Sequence, residues 1–283
     1  MTIQEYVERG RKAVEAIKDY DQAQTDKLVY EAAKIIYQHA AELAREAVDE
    51  TGLGYYEDKI CKNTDTPAAF WAYLRDKKSV GIISENKETG IIEVAHPVGV
   101  IACVTPATNP NVTPLGNFMD AVKGKNAIIV SPAPRAAKST THTVELIREA
   151  MVKCGAPADL IQVLSEVTLA NSQALMEACD LVIATGGSVV YEPEAMAHLR
   201  EIGTVVYLKL GYKALARRLG NLKNRGVVLR PGQTLRMLYE QRIPLYETYA
   251  HITVDCGGQD IEHTLDRVLR ALEKAQPKKN ASL

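Results

Sequence analysis

Three stretches of this 283-residue chain hold residues whose types and spacing could do chemistry. The first is GVIACVTPATNP, residues 99–110, where a β-branched run opens into Thr105, Pro106 and Asn109. A carboxamide such as that of Asn109 can donate an N–H to charge developing on a carbonyl oxygen. An Asn ahead of Pro110 is common turn chemistry, and from these residues alone the plain turn is the preferred reading. The second is VIATGGS, residues 182–188, which places Gly186, Gly187 and Ser188 after an apolar run. Glycines there let a phosphate approach the backbone at a helix start, or simply make a tight turn. The third is a set of arginines, Arg217, Arg218, Arg225, Arg230, Arg236 and Arg242. Guanidinium forks suit carboxylates and phosphates; a solvated basic face is the plainer alternative.

Five cysteines, Cys61, Cys103, Cys154, Cys179 and Cys256, are scattered without a CxxC pair. That spacing argues against zinc and against a disulfide framework. A nucleophilic thiol needs a lowered pKa or an adjacent base, and the sequence neighbours supply neither. Cys103 lies within an apolar strand and reads as a small core residue. A phosphate-cradling Gly-x-x-x-x-Gly-Lys-[Ser/Thr] string is absent. Lys138-Ser139 lacks the glycine frame, and Lys123-Gly124-Lys125-Asn126 lacks the hydroxyl.

The bulk numbers describe an ordinary soluble globular protein: 46% hydrophobic, 24% charged, net charge −1. That balance gives no reason to expect nucleic acid or a membrane as partner. The opening MTIQEYVERGRKAVEAIKDY carries charge where a secretory signal needs an apolar stretch. The expectation is a cytoplasmic protein with reduced thiols.

Positioning these residues requires a scaffold, and the periodicity predicts one. Residues 2–50 read as two amphipathic helices, the second stopped by Gly52 and Gly54, with a shorter helix over 56–76. Residues 80–83 and 90–95 read as a hairpin or a pair of neighbouring strands. Apolar strands at 99–104, 127–131, 160–164 and 181–185 then alternate with helices at 112–123, 139–154 and 168–178. Such alternation predicts an α/β fold with a doubly wound, parallel, Rossmann-like sheet. The alternation continues with helix 192–202, strand 204–210, helix 211–219, a basic glycine-containing loop at 220–233, helix 234–249, strand 251–255 and helix 260–274. The expected division is 1–95 (helices and hairpin), 96–187 (dinucleotide-binding segment), 188–275 (C-terminal segment) and 276–283 (disordered tail).

HPVGVIACVTPATNPNVTPLGNFMDAVKGKNAIIVSPAPRAAKS, with DETGLGYYEDKICKN upstream and CGAPADLIQVL downstream, resembles the CoA-acylating branch of the aldehyde dehydrogenases. The resemblance covers residues 1–187 and is to enzymes of the acetaldehyde and sulfoacetaldehyde type. It implies NAD or NADP as cofactor and CoA as cosubstrate in oxidising an aldehyde to an acyl-CoA. It places Asn109 in the oxyanion hole. It places Thr105, Pro106, Ser131, Pro132 and Arg135 at the strand ends around the cofactor, and Gly186 and Gly187 at the pyrophosphate. The family's nucleophilic cysteine belongs to a later segment with no counterpart here, so the implied protein binds cofactor with little or no turnover.

VIATGGSVVYEPEAMAHLREIGTVVYLKL and the later QRIPLYETYA resemble the C-terminal half of shikimate kinase, over residues 181–272. That resemblance puts Gly186, Gly187 and Ser188 at the family's glycine triad and Arg242 at the shikimate carboxylate. It puts Arg225 in the lid over ATP, with Mg as the accompanying ion; the missing phosphate cradle counts against that half of the chemistry. Both families have an apolar strand ending in Ala-Thr-Gly-Gly, so the two patterns join there. The join predicts one continuous sheet with strands from both. Three readings follow: a dehydrogenase-like dinucleotide or CoA binder, a kinase-like shikimate binder, or a folded hybrid without catalysis. The hairpin resembles the dehydrogenases' oligomerisation element, which leaves homo-oligomer formation open.

Overall fold

A computed structural model describes residues 1–184, 189–191, 193–219, 232–257 and 261–275. Two compact units are distinguished, Met1–Gly186 and Gly187–Leu283.

The first unit opens with three helices where the periodicity predicts two. Helix α1 (Ile3–Ala16) starts on a Thr2–Glu5 capping box and α2 (Gln22–Gln38) on an Asp21–Gln24 box. Helix α3 (Ala40–Thr51) follows after His39, which ends one helix and begins the next. The break lets Leu28, Val29, Ala32 and Ile36 of α2 and Leu43, Ala44 and Ala47 of α3 all be buried. Gly52, at φ +64°, stops α3 in the left-handed conformation that glycine adopts without a Cβ penalty. Helix α4 (Tyr56–Leu74) precedes the antiparallel pair β1 (Gly81–Asn86) and β2 (Ile91–Ala95). Ile82, Ile91, Ile92 and Val94 of this hairpin are exposed.

The alternating region follows the predicted order. It comprises β3 (Val100–Val104), α5 (Val112–Lys123), β4 (Ala127–Ser131), α6 (Ala137–Lys153), β5 (Ile161–Val163), α7 (Leu169–Ala178) and β6 (Leu181–Ala184). The strands lie in the order β5-β4-β3-β6 and every pairing is parallel. Strand β4 is buried along its whole length and β3 along all but its last residue, as expected where helices cover both faces. Gly10 of α1 lies against the sheet so closely that a Cβ there would come 3.0 Å from a Val100 methyl.

The second unit contains α8 (Pro193–Ile202), β7 (Val206–Lys209), α9 (Tyr212–Leu219), α10 (Leu235–Tyr249), β8 (Ile252–Asp255) and α11 (Ile261–Ala275). Here the structure corrects the expectation of one continuous sheet. β7 pairs in parallel with β8, in a two-stranded sheet separate from the four-stranded one. β6 gives its ladder bonds to β3, and the four-residue β7 finds its complement in β8. Among the described side chains of this unit, few hydrophobics are buried: Val190, Met196, Leu238, Val254 and Cys256. Leu265 and Leu269 of α11 stay exposed. The predicted tail, 276–283, and most of the predicted basic loop, 220–231, lie outside the described residues.

Candidate functional site

In an open parallel sheet the C-terminal strand ends make a ligand edge, because loops there leave a crevice between crossover helices. Strand β3 delivers Thr105 and Pro106 to that edge, and β4 delivers Ser131 and Pro132. The two loops are tied together: the Thr105 N–H donates to the Ser131 carbonyl at 3.0 Å. Ser131 is buried, and its hydroxyl lies 2.7 Å from that of Ser172 on α7. The Thr105 hydroxyl is buried and has no hydrogen-bond partner among the described residues. A buried hydroxyl without a partner is costly, so the strand end holds a polar group available to a ligand.

The loop 105–111 is held from below by α4. Lys59 is buried, and its ammonium donates to the Thr108 carbonyl at 3.1 Å. One turn later Lys62 donates to the Asn109 side-chain oxygen at 3.3 Å. That bond fixes the amide's orientation: its oxygen faces the lysine, leaving the NH2 end to donate elsewhere. The next residue but one, Asn111, is buried and donates to Thr143 on α6 at 2.9 Å. Desolvation, helped by the neighbouring Lys62 charge, pulls the Lys59 ammonium down to about 8.

Arg135 and the start of α6 are engaged within the protein. The Arg135 guanidinium donates to the Thr51 carbonyl at 2.7 Å. Glu50 covers the N-terminus of α6, accepting from the Lys138 and Ser139 N–H groups at 2.8 and 2.7 Å and from the Ser139 hydroxyl. This helix end therefore has its own carboxylate where an anion would otherwise sit. Gly186, Gly187, Ser188 and Arg225 lie outside the described residues.

Three of the five cysteines, Cys103, Cys154 and Cys179, are pushed away from the thiolate by burial. Burial pushes the Cys103 thiol up to about 12, only partly offset by the Asn117 amide. Burial, with Asp180 beside it, pushes Cys179 up to about 12 as well. Cys154 is raised by burial and by Glu31. Cys256 is buried, and Cys61 is exposed on α4.

In the second unit, Arg242 of α10 lines a cavity of about 490 Å³ with Val206, Leu208, Leu238, Tyr239 and Tyr246. Its guanidinium lies over the Tyr191 ring, 5.4 Å from the centroid, and donates to the Tyr191 hydroxyl at 3.3 Å. Among the described residues no carboxylate pairs with it.

The aldehyde dehydrogenase family pattern matches residues 1–214. The chain belongs to the aldehyde dehydrogenase family. Over 188 residues it is 45% identical to a succinate-semialdehyde dehydrogenase (acetylating) of Clostridium kluyveri, covering 66% of this chain and 42% of that one. Over 191 residues it is 40% identical to a sulfoacetaldehyde dehydrogenase (acylating) of Bilophila wadsworthia, covering 67% and 41%. The chain thus spans about two-fifths of the length of these relatives. Its fold matches the crystal structure of an acetylating aldehyde dehydrogenase from Geobacillus thermoglucosidasius. The TM-score is 0.66 and the identity 34%, over 73% of this chain and 47% of that one. A second family pattern, shikimate kinase, matches residues 167–273 and overlaps the first across the Ala-Thr-Gly-Gly join. The aldehyde dehydrogenase resemblance of residues 1–187 and the shikimate kinase resemblance that begins near residue 181 are therefore both real.

Lys59 and Lys62 escaped the reading of residue types, although the string that contains them carries the family resemblance. A signal existed. Lys59, Asn63 and Pro67 recur every four residues and form the buried stripe of α4, so a lysine stands where helical periodicity calls for a core residue. In this dehydrogenase-family chain, Lys59 of that stripe supports the Asn109 loop through the Thr108 carbonyl.

Proposed function

We propose that the first unit binds NAD, NADP or CoA at the C-terminal edge of its parallel sheet and does not complete aldehyde oxidation by itself. The Thr105 hydroxyl at the end of β3, buried and without a partner among the described residues, carries this reading. It shares the loop 105–111 with Asn109, which the family resemblance assigns to the oxyanion hole. Thr105, Pro106 and Pro132 would face the dinucleotide, and Ser131 would hold the floor through Ser172. Arg135 would reach a ligand only by leaving the Thr51 carbonyl. The N-terminus of α6, covered by Glu50, is not offered to a phosphate; that role falls to Gly186 and Gly187. When bound, a nicotinamide would supply hydride acceptance. The raised thiols Cys103, Cys154 and Cys179 support the absence of turnover, since only a thiolate attacks an aldehyde. The exposed apolar side chains of the β1–β2 hairpin support self-association. Calorimetric titration with NAD, NADP and CoA tests the reading. Saturable binding of any of the three, weakened in Thr105→Val, supports it, whereas no heat with all three rejects it.

A second reading is favoured by Arg242, whose described partners are phenols rather than carboxylates. A guanidinium with no counter-ion among the described residues, at a partly apolar cavity, recruits a carboxylate, and we propose that the second unit binds shikimate there. Arg225 would close over ATP–Mg in that family, but the missing phosphate cradle argues against phosphoryl transfer. A thermal shift with shikimate that Arg242→Met abolishes would support this reading; no shift in the parent chain rejects it.

A further inference from the structure

Lys59 has the surroundings of a reactive amine rather than of a structural ion. It is 6% exposed, and its ammonium meets a backbone carbonyl, Thr108 O, at 3.1 Å. No carboxylate pairs with it among the described residues. The loop packed over it, 105–111, reads TPATNPN, and the segment before α4, 52–55, reads GLGY; neither carries an acid. Its charged neighbour is another cation, Lys62, on the next turn of the same helix. Burial without a counter-charge and a second cation nearby both favour the neutral, nucleophilic amine.

The next turn of the helix holds an electrophile-orienting group in place. Lys62 takes the Asn109 side-chain oxygen at 3.3 Å, so the amide NH2 is the end left to meet a carbonyl oxygen. Amine and amide donor thus belong to one loop–helix junction at the end of β3.

We propose that Lys59 captures aldehydes as a reversible Schiff base at the Asn109 loop. The neutral Nζ adds to the aldehyde carbon, and the carbonyl oxygen takes up a proton to give a carbinolamine. Loss of that oxygen as water leaves a C=N bond in place of two N–H bonds. Addition of water reverses the step and releases the aldehyde. No oxidant, reductant or metal is consumed. The activity rests on the aldehyde chemistry of the family but on neither cofactor binding nor a cysteine, so it stands or falls separately from the dinucleotide reading.

With its ammonium near 8, Lys59 has a neutral fraction at pH 7 that exceeds that of an ordinary surface lysine by ~300-fold. The test is reductive trapping of the full chain with a low concentration of acetaldehyde and cyanoborohydride, followed by peptide mapping. A first ethyl adduct on Lys59, forming with a pH midpoint near 8, is the expected result. Lys62→Gln removes the neighbouring charge and should move that midpoint upward and slow trapping at pH 7 severalfold. Lys59→Arg should lose the fast adduct while the slow labelling of surface lysines persists. Labelling of Lys59 no faster than of the surface lysines, or a rate unmoved by Lys62→Gln, overturns the proposal, and either can be read whether or not NAD, NADP or CoA binds.

Discussion

The Asp180 carboxylate lies against Gly99 so closely that a Cβ on that glycine would come 2.2 Å from Asp180 Oδ2. Gly99 has φ +130°, a conformation side chains rarely adopt. The contact lets Asp180 accept the Val100 N–H at 2.8 Å while pairing with Arg11 at 2.9 Å. One carboxylate therefore joins α1, the start of β3 and the start of β6. Gly99→Ala is expected to destabilise the first unit by roughly 3 kcal/mol, through backbone strain and the displaced carboxylate. Chemical denaturation checks it; a loss below about 1 kcal/mol would mean the junction relaxes freely.

Acid should expose the same junction. Partial burial raises the Asp180 carboxyl, but the Val100 N–H and Arg11 outweigh it and hold the group below its ordinary 3.8. Asp159 is likewise raised by burial and lowered further by Arg9 and Arg148. For a depressed carboxyl the stabilisation is present above the unfolded value and is lost as pH falls through the folded one. Stability should thus drop below pH ~4 more steeply in the parent chain than in the Asp159→Asn/Asp180→Asn double variant. Equal acid limbs would contradict the assignment.

Lys59 predicts the opposite limb. Its folded value near 8 lies below the ordinary 10.5, so between those values the unfolded chain holds more protons than the folded one. The burial penalty is full below pH 8 and is relieved as pH climbs toward 10.5. The difference in stability between Lys59→Met and the parent should therefore shift toward the parent over that window. Melting curves of the two proteins that stay parallel from neutral to alkaline pH would contradict this.

Lys123 of α5 and Asp26 of α2 form a buried ion pair at 2.5 Å, with side-chain exposures of 5% and 20%. Removing one partner leaves a buried charge without compensation. Asp26→Ala should cost about 3 kcal/mol, while Asp26→Ala with Lys123→Met recovers much of it. A double variant no better than the single one would show that packing, not charge, dominates.

Glu50 predicts a smaller effect. Glu50→Ala strips three hydrogen bonds from the start of α6 and should cost about 1–2 kcal/mol, and Glu50→Gln should cost less because one acceptor remains. Denaturant midpoints of the two variants decide it; equal midpoints would remove the carboxylate from the account.

The sequence by itself determined the local elements and the family patterns. Helical and β periodicity are short-range properties, so α5 at 112–123 and β4 at 127–131 were legible from their own residues. The Asn109 loop was legible too, because a β-branched run ending in Thr-Pro-Ala-Thr-Asn-Pro marks a strand end. Tertiary structure alone decided the rest. The pairing of β7 with β8 was not legible, since an apolar strand can extend any parallel sheet and only long-range hydrogen bonds choose the neighbour. The break at His39 was hidden because both helices present apolar residues to one core, so the pattern runs on unbroken. Nor could the spacing show that Lys59 is buried under Thr108, that Glu50 fills the start of α6, or that Asp180 requires Gly99. These are relations between residues 49 to 89 positions apart, where charge, burial and orientation depend on packing that residue type does not encode.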